Sequence, residues 1–124
     1  MAAEWSRLCK APDLKCDADS VDVTLGDGRR HRVDVEQQAD AFVLSAIVVR
    51  QSKVASQSDL PVQAWLRNRA VALVGFRIDK RGRMVGEAWM PKIGLTADEF
   101  QLVVRTVAVE CDRFEYVLTG RDVE

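Results

Sequence analysis

Apolar and polar positions change period along this chain, and the changes mark its elements. Val21-Asp22-Val23-Thr24-Leu25 alternates with a period of two, as a half-buried strand does. Gly26-Asp27-Gly28 then signals a hairpin turn, because glycine takes positive φ without steric cost. His31-Arg32-Val33-Asp34-Val35 gives the return strand. After a polar break at Gln37-Gln38-Ala39-Asp40, Phe42 to Val49 is rich in β-branched residues and predicts a third, more buried strand. Upstream, residues 4–10 predict a short helix stopped by Pro12, and Cys16 to Ser20 predicts a polar loop. Downstream, Lys53 to Ser58 reads as a polar linker. Asp59 is placed to cap a helix with Pro61 in its first turn. That helix carries Leu60, Ala64, Trp65 and Leu66 and ends near Asn68.

The period returns to two from Ala70 to Asp79. Ala72, Val74, Phe76 and Ile78 share one face and Val71 and Leu73 the other, which predicts a strand placed centrally in a sheet. Lys80-Arg81-Gly82 is the turn and Arg83 to Met90 the return strand, where Gly86 predicts a bulge or a close neighbour. Thr96 and Glu99 form a capping box. Behind it, Phe100, Val103, Val104, Val107, Cys111, Phe114 and Leu118 recur at helical spacing, one core-facing stripe that Gly120 terminates. Phe100, Val107, Phe114, Phe76 and Val74 are expected to be buried together. The expected order is (α)-β-β-β-α-β-β-α. It defines an α+β fold, a mostly antiparallel five-stranded sheet packed by helices, as one domain over residues 1–124 with a partly irregular segment at 1–19.

Composition narrows the function classes. With 124 residues, 48% apolar and 30% charged, the chain is an ordinary globular domain that can bury a core without metal or disulfide. A net charge of −1 gives no overall attraction to nucleic acid or anionic membrane. The longest apolar stretch, Ala70 to Gly75, is too short to span a bilayer, and the first residues lack a basic segment followed by an apolar run. The cysteines Cys9, Cys16 and Cys111 are odd in number and fit no zinc spacing. Free thiols fit a cytoplasmic protein.

Candidate chemistry is sparse. His31 is the only histidine and has no acid beside it in sequence that would build a catalytic pair. Gly26-Asp27-Gly28 lacks the length of a phosphate loop. The expectation is no enzyme, with no catalytic, cofactor-binding or metal-ligating residue. The basic clusters Arg29-Arg30-His31-Arg32, Arg67 with Arg69, and Lys80-Arg81 with Arg83 read as solvated turns and strand edges rather than a nucleic-acid surface. Partner-binding candidates are apolar. Leu102, Val109 and Tyr116 stand seven residues apart, nearly opposite the core stripe. They are either scattered surface residues or a second seam for self-association or a partner helix. Trp65 and Trp89 fit the core or its edge. If exposed, they add to a partner or dimer surface. Trp5 either covers the core or meets a partner.

The chain resembles the type III secretion chaperone-like fold shared by class I secretion chaperones and the YbjN family. The likeness rests on Leu66-Arg67-Asn68-Arg69, on the strand-turn-strand from Val71 to Met90, and on Met90-Pro91-Lys92-Ile93-Gly94-Leu95-Thr96-Ala97-Asp98-Glu99-Phe100. It covers roughly residues 20–119. In those families a polar pair ends the middle helix, and a Gly-Leu-Thr/Asp-acidic phrase opens the last one. One departure is the N-terminal region, short and broken by Pro12 where class I chaperones carry a well-formed helix. The resemblance implies a cytoplasmic, non-catalytic, bacterial protein-binding module, a homodimer that binds an extended or partly unfolded polypeptide along strands. The alternative is a regulatory or assembly subunit docking a folded partner through the C-terminal helix.

Overall fold

The computed structural model of the chain describes residues 4–49 and 60–119. A 3-10 helix, Glu4–Cys9, opens it. Strands β1 (Leu14–Cys16), β2 (Ser20–Thr24), β3 (Arg30–Gln37) and β4 (Ala41–Val49) follow. Then come helix α1 (Leu60–Ala70), strands β5 (Gly75–Ile78) and β6 (Met84–Pro91), and the long helix α2 (Ala97–Thr119). The strands form one fully antiparallel sheet in the order β1-β2-β3-β4-β6-β5. The α+β architecture is the expected one, with six strands instead of five. The added strand is β1, which the polar stretch around Cys16 concealed. The Lys53–Ser58 linker, the Asp59 cap and the Gly120 stop lie outside the described residues.

Alternation decides which face of the sheet is covered. Phe42, Leu44, Ala46 and Val48 of β4 and Met84, Ala88 and Met90 of β6 are buried on one face. There they meet Phe100, Val104, Val107, Cys111 and Phe114 of α2 in one core that also holds Phe76 and Val74. Phe76 and Phe114 stack edge to face with centroids 4.8 Å apart, and Phe100 meets Phe42 at 5.7 Å. Gly86 is the close neighbour its position predicts. A Cβ there would stand 2.5 Å from Cys111 Sγ and 2.8 Å from the Phe76 ring, so any side chain would force Cys111 or Phe76 to shift. The ladder irregularity falls instead between Ile47 and Val49 of β4.

The local signals hold α2 as expected. Glu99 N–H donates to Thr96 Oγ1 (3.2 Å) and Thr96 N–H to Glu99 Oε1 (3.0 Å), a complete capping box. The β5–β6 turn is organised by Asp79. Its carboxylate accepts from the Arg81 and Arg83 amides (3.0 and 2.9 Å) and from the Arg83 guanidinium (2.7 Å). Burial pushes this carboxyl up, but those donors outweigh it and hold it below the usual range.

Two expectations are corrected between α1 and β5. Ala70 ends the helix rather than starting a strand, and the strand is only Gly75–Ile78. It lies at the edge of the sheet, not in its centre. The chain turns out of α1 through Leu73, which takes a left-handed φ of 74° and is exposed. The residues that seemed to cover a second strand face belong to this turn.

Candidate functional site

The two edges of the sheet are treated differently. At the β5 edge, the last turn of α1 brings Asn68 against Phe76. Asn68 Nδ2 donates to the Phe76 carbonyl (3.0 Å), and the Phe76 N–H donates to Asn68 Oδ1 (2.6 Å). An amide side chain offers a donor and an acceptor at once, so Asn68 occupies both backbone groups as an added strand would. The β5 edge is closed at its middle.

The β1 edge has no such clamp. Thr24 N–H donates to the Asp13 carbonyl (2.9 Å) and Asp17 N–H to the Ser20 carbonyl (2.8 Å). By antiparallel alternation Lys15 also faces β2, while Leu14 and Cys16 turn their backbone groups outward. The Leu14 N–H is taken by Ala11 (3.1 Å). The outward groups of Cys16 meet no backbone partner among the described residues.

The N-terminal 3-10 helix lies beside this edge and is pinned to α2. Trp5 is buried with its ring 5.8 Å from Phe100, so it covers the core. Gln101 Nε2 donates to the Leu8 carbonyl (2.9 Å). One turn on, Arg105 grips Asp13 with two bonds of 2.8 and 2.9 Å, which holds the Asp13 carboxyl below its usual range.

The five partner-surface residues expected from sequence do not converge. Leu102 and Tyr116 are exposed on α2. Val109 between them is half-buried. It lines a groove of about 430 Å³ with Leu25 and Asp27 of the β2–β3 hairpin and with Arg105 and Arg113. The seam is therefore interrupted at its middle by a charged groove. Trp89 is 62% exposed on the sheet face away from the helices, opposite Val43. Trp65 is 59% exposed on α1, with the Arg69 guanidinium 5.1 Å from its ring. Neither tryptophan is a core residue.

Trp65 belongs to a patch. Val62, Trp65 and Leu66 share the face of α1 opposite the buried Leu60 and Ala64, and exposed Leu73 follows in the turn. This helix is apolar on both sides, so its sequence shows little periodicity. Single exposed apolar residues are ordinary, whereas four within twelve positions form a surface in need of cover.

The fold also gives His31 acids that its sequence neighbours lack. His31, Asp112 and Glu115 bring one ligand atom each within 4.8 Å and are the group among the described residues with the composition to hold a metal ion. His31 Nε2 donates to the Ile47 carbonyl (3.0 Å), and Asp112 is ion-paired with Arg29. These bonds tie β3 to β4 and the β2–β3 turn to α2. Asn68, Cys16 and Asp112 were not singled out by sequence reasoning. For Asn68 the signal existed as the polar pair ending the middle helix. For the other two, only the tertiary register reveals them.

No family model matches the chain, and no curated protein matches it in sequence. Solved structures do. E. coli YbjN, described as a putative transcription regulator, matches with a TM-score of 0.62 at 14% identity, over 94% of this chain and 86% of its own. The ExoU–SpcU heterodimer of the type III secretion system of Pseudomonas aeruginosa matches with a TM-score of 0.61 at 14% identity, over 85% of this chain and 87% of its own. The Yersinia pestis type III secretion chaperone SycH, solved with a fragment of YscM2, matches with a TM-score of 0.53 at 10% identity, over 89% and 92%. The structural neighbours thus include type III secretion chaperones and YbjN, and the chain has the type III secretion chaperone-like fold. Several neighbours were solved bound to a protein partner. Among the described residues, no helix is long and apolar enough to cross a membrane.

Proposed function

We propose that this chain is a single-domain, non-catalytic cytoplasmic module that binds an extended or partly unfolded polypeptide at the β1 edge and works as a homodimer. The observation that carries the reading is the contrast between the edges. Asn68 closes β5, whereas Cys16 presents an unpaired rung on β1. Strand addition needs such a rung, with main-chain bonds giving affinity and side-chain pockets giving selectivity. Neighbours with this fold bound to proteins support a protein ligand. The groove behind the β2–β3 hairpin, lined by Val109, Leu25 and Arg113 and by Asp13 just before β1, offers a side-chain pocket.

The dimer surface in this reading is α1 with Leu73. It carries four exposed apolar residues, Val62, Trp65, Leu66 and Leu73, whereas the Leu102–Val109–Tyr116 seam is broken by the groove. A standard interface covers about 800 Å² per partner, so neighbouring β5 residues must join the helix face.

Cys16→Pro tests the binding mode. Proline removes the outward N–H without touching the β2 ladder and is tolerated on an edge strand. Affinity capture from native cytoplasm should recover a protein partner with the wild type and lose it with Cys16→Pro, while the thermal melts of the two chains nearly overlay. Equal capture by both would place the partner elsewhere.

A further inference from the structure

The turn before β1 does more than start a strand. Leu14 N–H donates to the Ala11 carbonyl (3.1 Å), and the two residues form an antiparallel bridge around Pro12-Asp13. The chain reverses there and brings Cys9, the last residue of the 3-10 helix, beside Cys16 of β1. The contact follows, since the Cys16 thiol donates to the Cys9 carbonyl at 3.5 Å. Both cysteines are free thiols.

We propose that Cys9 and Cys16 are a redox pair, which a hydroperoxide converts to an intramolecular disulfide that staples the N-terminal 3-10 helix to the edge of β1. The two thiols are unequal. Cys16 is half-buried and reachable from solvent, whereas Cys9 is 1% exposed. Burial, and then the hydrogen bond with Cys16, push the Cys9 thiol up, which leaves first attack to Cys16. The Cys16 thiolate attacks one peroxide oxygen and breaks the O–O bond. It becomes a sulfenic acid, and the second oxygen leaves as hydroxide, protonated to water. Cys9 sulfur then attacks the Cys16 sulfur. The S–O bond breaks, the S–S bond forms, and a second water leaves with the Cys9 proton. Two thiols have lost two electrons and the peroxide has gained them. Cys111, buried under α2 with its thiol pushed up to about 12 by burial, is the internal control.

The disulfide would tie the segment that carries Trp5 to β1. The test needs no partner. The reduced full chain is treated with stoichiometric hydrogen peroxide, quenched by alkylation and digested with trypsin. The expected product has lost two hydrogens in mass. It joins the peptide Leu8-Cys9-Lys10 to the peptide that begins at Cys16, and leaves Cys111 alkylated only after unfolding. Free thiols should fall from three to one. In Cys9→Ser, Cys16 should run on to sulfinic acid. If that variant does not fold, Cys16→Ser should leave both remaining cysteines unreactive in the folded chain. Sulfinic acid at Cys16 of the wild type, disulfides between two chains as the main product, or no oxidation under excess peroxide would each overturn the proposal.

Discussion

Truncating Phe114 to alanine is expected to cost about 3–5 kcal/mol of folding free energy. Its ring is buried where α2, β5 and α1 meet. It stacks on Phe76 at 4.8 Å and lies under the Arg67 guanidinium at 5.5 Å. Cys111 and Phe76 already stand against Gly86, which leaves α2 little room to move onto the sheet and fill the space. The cavity therefore persists, and its cost adds to the lost burial. Truncation also removes the ring beneath Arg67, whose Nε is buried without a partner. Urea denaturation of wild type and variant measures the difference. A change below about 1 kcal/mol would mean that α2 is not held by this stripe.

Trp65→Glu is expected to have the second large effect, on association rather than on stability. Trp65 is solvent-facing in the single chain, so the charge should leave unfolding within about 0.5 kcal/mol of wild type. In a dimer built on α1 the same charge would be buried without a counter-ion, and a central tryptophan is worth about 2 kcal/mol or more. That is roughly a thirtyfold rise in the dissociation constant, read by sedimentation over a concentration series. Leu73 supports this surface independently. A non-glycine residue held at φ 74° with an exposed apolar side chain carries both strain and poor solvation, which burial in a partner would offset. A dimer untouched by Trp65→Glu would exclude the α1 face.

The elements that sequence revealed are those whose signals are local. The β2–β3 hairpin, the capping box and the α2 stripe each depend on residues within a few positions of one another, and each forms as read. The misreadings have a common cause. Ala70 to Val74 has strand-like alternation, yet α1 runs through Ala70 and the chain leaves it by a left-handed turn at Leu73. Tertiary docking of the helix overrode propensity. β1 was hidden because three residues around a lysine show no pattern until β2 is beside them. The edge clamp is a matter of eight residues in sequence, but it exists only because α1 packs against β5. His31 meets Asp112 and Glu115 across more than eighty residues for the same reason.

The account stands on strand addition at β1, and hydrogen exchange of the captured complex reads it directly. In the free chain the Cys16 amide should exchange fast, and the Phe76 amide slowly behind Asn68. With the partner bound, the Cys16 amide should become strongly protected while Phe76 is unchanged. If Cys16 stays fast and protection appears instead around Leu102, Val109 and Tyr116 of α2, the polypeptide is not taken as a strand. The module would then dock a folded partner through its long helix.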